Sequence, residues 1–551
     1  MTQLARIARY WHTLRHLKPV QFHGRLWFRL RRPRPDLRPA PPLRATGAAW
    51  QAPARRAPSM TGERSFRFLG EDGGLERGWD DGTRAKLWLY NLHYFDDLNA
   101  DDAVARDAWH TALMDDWIAH HPPGAGNGWE PYPASLRIVN WIKRHLDGRP
   151  LSASQRSSLA VQVRWLAQRL EWHLLGNHLF ANAKALVLAG LLFEGAEADR
   201  WLAAGLAIVG DELPEQVLGD GGNFERSPMY HAIFLEDLLD LLNAGQVFPG
   251  RIAPATLASW RATAARMAGW LRAMCHPDGE ISLFNDAAIG IASVPAALHA
   301  YAARLGIHAP ASTVASPSLV PVLALLRESG YARVEESQAV ALLDVAPVGP
   351  DYLPGHAHAD TLSFELSVSG QRVVVNGGTS CYGLGAERLR QRGTAAHSTV
   401  IVDGQDSSEV WGGFRVARRA RPFDLVTTAD AHGVVVACSH DGYRRLPGRP
   451  VHRREWRLRS GGLQVHDSIS GRFATAQARY HFHPEVRIDE DGIGALRLTL
   501  PRGAQVRMSV RRGRLRLEPS RYAPAFGLVQ DTRCAVIDAE DGQVSADFDW
   551  T

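Results

Sequence analysis

Near residue 330 the chain changes its hydrophobic period, and no single layer of helix or sheet accommodates both halves. Between about 100 and 328, apolar residues recur at helical intervals, as in Val163, Leu166, Leu170, Leu174 and then Leu179, Ala183, Leu186, Phe193. Such spacing gives each segment one apolar face at a period of 3.6 residues. Further runs at 136–146, 230–242, 257–274 and 320–326 predict successive amphipathic helices joined by Gly/Pro/Asp loops, without a fixed repeat length. Helix pairs in a ring account for the count. Past 330, Leu362, Phe364, Leu366 and Val368 alternate with Ser363, Glu365 and Ser367, the pattern of a half-buried strand. Runs at 371–376, 398–402, 433–438, 455–458, 464–469, 478–483 and 496–500 continue the strands, with Asp-Gly turns at 403 and 491. Many short strands without intervening helices predict an antiparallel sandwich.

The predicted fold is therefore two-part α+β, with a basic segment and linker at 1–60, a helical ring at 61–328 and a β-sandwich at 329–551. Residues 37–58 are rich in Pro and Ala, which sustain neither a helix nor a strand ladder and give an extended connector. The chain has 551 residues, 45% hydrophobic and 22% charged, a composition that excludes disorder, collagen and coiled coil. Its longest apolar run, 186–193, is far short of the roughly 18–20 residues of a membrane span. Net charge is +5, but residues 1–60 hold twelve Arg and one Lys against Asp36, leaving −7 for the remainder. The excess sits in one segment, which argues against a nucleic-acid-binding face. Cys275, Cys381, Cys438 and Cys534 lie too far apart for a zinc ribbon or a disulfide scaffold, so free thiols are expected.

The N-terminus has Arg6 and Arg9 inside its apolar pattern, with no cleavage site following, so no secretory signal is expected. That favours a cytoplasmic or envelope-associated protein, with a periplasmic one as the alternative. Leu4, Ile7, Trp11 and Leu14 have helical spacing with Arg between them, suited either to an anionic membrane surface or to packing on the protein itself.

Three clusters carry chemistry that folding does not require. Asn177 and His178 follow Gly176 at the start of a helix, where free N–H groups and adjacent side-chain donors suit an anionic oxygen. The bland alternative is an Asn cap beside a surface His. Tyr230 opens an apolar helical stripe amid Glu225, Arg226 and His231; nearby cations would lower its pKa from about 10, whereas a core aromatic would simply have its hydroxyl satisfied. His356, His358 and Asp360 share one side of an extended segment, a spacing that suits metal ligation, and His397 stands at the mouth of another strand.

Read in order, G-N-H (176–178), N-F-E-x-S-x-x-Y (223–230), G-H-x-H-x-D (355–360), a G-G-T turn (377–379) and A-H-x-T-V (396–400) resemble the heparinase II/III-like polysaccharide lyases, a group that includes heparin/heparan sulfate and alginate lyases. The resemblance spans about 90–420. It implies an incomplete (α/α) toroid followed by an antiparallel β-sandwich, with the cleft between them. It further implies that Asn177 and His178 neutralise a uronate carboxylate, that Tyr230 acts as base or acid, and that His356 partners it in proton transfer. His358 and His397 would hold a structural zinc, and no organic cofactor is implied. Asn376 stands where the family commonly has an Asp ligand, and a neutral amide oxygen binds zinc less well than a carboxylate.

The implied reaction is β-elimination on a uronate-containing glycan such as an exopolysaccharide, O-antigen or glycosaminoglycan-like chain. The C5 proton leaves, the C4–O bond breaks, and an unsaturated end remains. Tyr90, His93, Trp129 and Tyr132 combine aromatic faces with polar groups suited to sugar contact, joined by Glu225. Arg388, Arg390 and Arg392 could pair with substrate anions, or form a solvated face. The segment 409–414 could wall the cleft. Rivals are a glycoside hydrolase using Glu130, Glu225 or Asp286, and a catalytically silent glycan-binding accessory protein. The expected partner is an anionic polysaccharide; oligomeric state leaves no trace in these motifs.

Overall fold

The computed structural model describes residues 3–310, 321–430 and 432–550. Two helices, α1 (Gln3–Leu14) and α2 (Pro19–Leu30), open the chain. The helical half contains α3 (Lys86–Tyr94), α4 (Asp107–His120), α5 (Pro131–Leu146), α6 (Ala153–Ala167), α7 (Gly176–Leu192), α8 (Ala196–Gln216), α9 (Pro228–Val247), α10 (Pro254–Ala273) and α11 (Pro295–Arg304). Proline at the first turn of α5, α9, α10 and α11 starts these helices where its missing N–H costs nothing. α7 packs on α5, α8 and α9, and α9 on α10 and α11, forming an open α/α toroid around one core. Between α2 and α3 the connector runs as a strap along the toroid: the Arg44 N–H donates to the Leu192 carbonyl and the Gln51 N–H to Asn243.

Downstream, two antiparallel sheets of eight and nine strands share a core that includes Phe364, Trp456, Tyr480 and Phe548. A short helix, α12 (Ala386–Arg392), interrupts them. The strand Phe364–Val368 shows how the halves join. Its apolar residues face the second sheet, while Glu365 and Ser367 turn toward the toroid and bond His276, each at 2.8 Å. A strand expected to be half-buried is thus buried on both faces, because the helical half covers its polar side.

Four other expectations change. The run 320–326 is not a helix: Val322–Leu326 is a strand paired with Tyr331–Glu335, and Val320 lies outside the described residues. A short continuous apolar run has no period to separate the two states, and Gly330, at φ 82°, turns the hairpin. The sheet therefore begins ahead of residue 329. The stripe through Leu170 and Leu174 outruns its helix, since α6 ends at Ala167 and Leu175 is left-handed at φ 63°. A three-stranded sheet, Met60–Gly62, Ser65–Phe68 and Glu71–Gly74, precedes the toroid, where no strand is expected from sequence. All four cysteines are free, as their spacing predicts.

Candidate active site

The centre of the site is a buried carboxylate. Asp286, in the loop after α10, accepts a bidentate pair from Arg388, with Nη2 at 2.6 Å, together with His356 Nδ1 and His358 Nε2, each at 2.8 Å. Burial opposes its ionisation, but the Arg388 guanidinium and the two imidazoles hold it well below the usual carboxylate range. Asp286 is therefore an anion that fixes tautomers. Both His356 Nδ1 and His358 Nε2 carry the proton, leaving His356 Nε2 bare and directed away from it.

Tyr230 stands on the first turn of α9, where the Ser227 hydroxyl accepts its N–H at 3.2 Å. Its ring lies against His356, with centroids 4.0 Å apart, and its hydroxyl meets that of Tyr382 at 2.9 Å. Burial first, then the Tyr382 hydroxyl beside it and the Asp286 charge, push the phenol well above its ordinary value. This corrects the expectation of a cation-tuned phenolate, because Arg226 points elsewhere and His231 is neutral. Arg226 donates to the carbonyls of Ser329 and Phe224. His231 faces the Met267 carbonyl and is held down to about 3 by burial. Phe414 closes one side of the cluster, 5.2 Å from Tyr382 and 6.0 Å from His356.

A second group surrounds the N-terminus of α7. Leu175 and Gly176 are both left-handed, so the chain reverses sharply and delivers Asn177 and His178 half-buried on the first turn. His178 stacks on Tyr132 at 4.4 Å and bonds Glu171 through Nδ1 at 3.1 Å. Burial disfavours its charged form, but the Glu171 charge and hydrogen bond outweigh that, and the pKa is raised. Glu225 joins the two groups. Its Oε2 is buried without a hydrogen-bond partner 3.8 Å from His356 Nε2, and the His178 charge also acts on it. Burial pushes its carboxyl up.

Other residues expected to touch substrate are placed elsewhere. His93 and Trp129 are buried in the toroid core among Trp79, Trp117, Trp165 and His121, where a ring gains more from packing than from solvent. Arg392 is buried too, its guanidinium donating to the Ala357 and Gly412 carbonyls. Arg390 is tied to Glu387 at 2.6 Å on α12. Of the three arginines of that helix, Arg388 is the one that enters the cluster. Tyr90 is half-buried and donates to Glu130, which also takes Lys86 at 2.9 Å. Sequence reasoning missed Tyr382 and Glu171. Tyr382 follows the G-G-T turn by three residues and Glu171 precedes G-N-H by five, so proximity to a motif was the available signal.

For a metal, His358 Nδ1 and His397 Nε2 face each other at 3.2 Å. Bonds of about 2.0–2.1 Å in tetrahedral geometry give an N···N edge near ~3.3 Å, so this pair fits two zinc positions. Burial lowers the pKa of His358 to about 4 and that of His397 to about 3, which keeps both neutral. Asn376 fits poorly. Its Oδ1 already accepts the Ser398 N–H at 3.2 Å and its Nδ2 donates to Ser363 at 3.3 Å, so it supplies a committed neutral amide. The set lacks the third anionic or imidazole ligand of a structural zinc site, and no chemical step is routed through it. Asp80, His93 and His121 form a separate group that could hold a metal, with ligand atoms within 4.8 Å of one another. There the Trp117 indole donates to His93 Nδ1 at 3.2 Å, which puts the proton of the neutral ring on Nε2, toward Asp80.

Comparison with known proteins gives a consistent answer. Residues 89–305 match the family described as Heparinase II/III N-terminus, and residues 320–551 match Heparinase II/III-like, C-terminal. FtsZ-localized protein C of Caulobacter vibrioides is 27% identical over 463 residues, 78% of this chain and 75% of that protein. Heparin-sulfate lyase of Pedobacter heparinus is 26% identical over 256 residues, 42% of this chain and 36% of that protein. Among solved structures, heparinase III superposes with a TM-score of 0.66 at 15% identity, covering 88% of this chain and 80% of that one. Heparan sulfate lyase HepC from Pedobacter heparinus, as a mutant, gives 0.59 at 17%, covering 88% and 81%. At such identities the structural likeness establishes the toroid-plus-sandwich fold.

Proposed function

The chain belongs to the heparinase II/III-like family, and from that premise we propose that it is a polysaccharide lyase cleaving a uronate-containing glycan by β-elimination. The observation that carries this reading is the close pair of Tyr230 and His356, rings 4.0 Å apart, one a protonated phenol and the other an imidazole with its free nitrogen outward. His356 Nε2 takes the C5 proton, the C5–H electrons form the C4=C5 double bond, and the C4–O bond breaks. Tyr230 donates its proton to the departing oxygen. Its raised pKa suits the acid and not the base, and Tyr382 can return a proton along the 2.9 Å hydroxyl contact. Asn177 and the His178 imidazolium pair with the uronate carboxylate and ease the charge that develops beside C5. One such donor in a water-poor site contributes about 3 kcal/mol, or roughly 100-fold.

Asp286, clamped by Arg388 and two histidines, cannot cycle as an acid, which removes it as a carboxylate for the hydrolase reading. The substrate class of an exopolysaccharide, O-antigen or glycosaminoglycan-like uronate rests on the acid-binding character of Asn177 and His178. The test is a panel of uronate polysaccharides followed for the ultraviolet absorbance of the enoate product. Wild-type protein forms enoate on at least one, and Tyr230→Phe and His356→Ala each lower the rate by about 100-fold or more. Saturated product ends would assign hydrolysis. Glycan binding without new ends, unchanged in Tyr230→Phe, would assign an accessory role.

A further inference from the structure

The N-terminal helices dock on the protein with one face and leave a second apolar face uncovered. On α1, Tyr10 packs edge-on against Trp411 at 4.9 Å and Thr13 accepts the Trp411 indole N–H at 3.1 Å. On α2, Gln21 is buried and donates to the Tyr352 carbonyl at 3.2 Å, Gly24 lies against the His173 backbone, and Phe28 stacks on His173 at 4.3 Å beneath Arg169. These contacts satisfy the inward faces. Outward stand Leu4, Ile7, Trp11 and Leu14 of α1 and Phe22, Leu26, Trp27 and Leu30 of α2, with Trp11 65% and Trp27 62% exposed. Eight large apolar side chains thus stand exposed on two consecutive helices, a density that a soluble surface does not ordinarily carry.

The charge around the patch identifies what it meets. Residues 1–34 contain eight arginines and Lys18 and no carboxylate, and Arg6, Arg25, Arg29, Arg31 and Arg32 are exposed beside the apolar stripes. A protein partner matched to apolar side chains alone would not need so one-sided a field, whereas an anionic lipid surface presents hydrocarbon beneath a sheet of negative headgroups. Tryptophan favours that boundary, and arginine stems lie along apolar surface while their heads reach the phosphates. At 12 residues each, the helices are about 18 Å long, too short to cross a bilayer but suited to lying in its surface. None of the described helices is long and apolar enough to span a membrane.

We propose that α1 and α2 form an interfacial anchor for an anionic phospholipid bilayer. The anchor bears on the cleft, because Trp411, held by Tyr10 and Thr13, belongs to the hairpin that carries Phe414 against His356. Docking holds the candidate active site beside the lipid surface. The inference stands on the surface alone and does not depend on the lyase reading.

The test is co-sedimentation of the full chain with extruded vesicles of phosphatidylcholine alone or mixed with phosphatidylglycerol. The expected result is binding to the anionic vesicles at least about ten-fold stronger than to the neutral ones, weakened by salt. Trp11→Glu/Trp27→Glu and Arg25→Glu/Arg29→Glu should each lose about ten-fold or more, with unchanged circular dichroism and melting temperature because these side chains face solvent. Three results would overturn the proposal: no pelleting with either vesicle, equal pelleting with both, or variants that bind like wild type. A dimer in light scattering that dissociates in Trp11→Glu/Trp27→Glu, without vesicle binding, would assign the patch to a second copy of the chain instead.

Discussion

His178 gains its charge from a neighbour five positions before the motif that contains it. The Glu171 carboxylate lifts its pKa above the ordinary 6.5 against the opposing effect of burial, so the imidazolium persists at higher pH than a free histidine would allow. Because the folded pKa is the higher one, the stabilisation from this pair is fully present below about pH 6.5 and is lost as pH rises through the folded value. With the His178 side chain about a third exposed, solvent screening limits the contribution to about 1 kcal/mol or less. Urea unfolding of Glu171→Gln beside wild type should therefore show a stability gap that narrows from mildly acidic to alkaline pH. A gap that widens with pH would contradict the assignment. The Michaelis constant for a uronate substrate should rise over the same interval, since the group that meets the carboxylate loses its proton there.

At the level of elements, the entry to α7 decides whether Asn177 and His178 face the cleft. Gly176 has φ 55°, and a Cβ there would lie 2.3 Å from Leu353 Cδ2, so a side chain would both strain the backbone and displace Leu353. Gly148 is a fair control, at φ 84° with nothing within 4 Å of its would-be Cβ. Gly176→Ala and Gly148→Ala should each cost about 1 kcal/mol in denaturant unfolding from the left-handed backbone. Only Gly176→Ala should also lower kcat/KM, by about ten-fold or more, because it moves two carboxylate donors together. Equal kinetics in the two variants would mean that α7 positions nothing catalytic.

For the whole molecule, the two halves meet through buried polar groups that neither can satisfy alone. Glu365 on the central strand bonds His276 at 2.8 Å and the Asn376 N–H at 2.9 Å, and Arg372 reaches Asp278 and the Ile281 carbonyl across the same boundary. Val375, Tyr522 and Phe526 of the strand half also enter the toroid core. Separating the halves would break these buried hydrogen bonds, each worth about 1 kcal/mol net, and expose the apolar side chains of Val375, Tyr522 and Phe526 to water. Scanning calorimetry should accordingly record one cooperative transition with equal calorimetric and van't Hoff enthalpies. Two resolved peaks would show that the toroid and sandwich unfold independently.

Periodicity alone determined the order of architecture. Helical spacing from about 100 and alternation from Leu362 onward are local properties of the backbone repeat that need no long-range contact, although the helical reading ran on to 328 and took in the strand Val322–Leu326. The motif residues Tyr230, His356 and His358 were legible as chemical groups because their motifs are local, whereas Asp286 stood out only as one of three carboxylates for a rival hydrolase reading. Their roles came from tertiary structure. Burial keeps the Tyr230 phenol protonated, Asp286 became the anion that orders two histidines, and Arg388 alone of its helix entered the cluster. His93, Trp129 and Arg392 went to packing, and Tyr382, 152 positions from Tyr230, became its hydrogen-bond partner. Protonation and exposure depend on what stands across the fold, and a period along the chain carries no record of that.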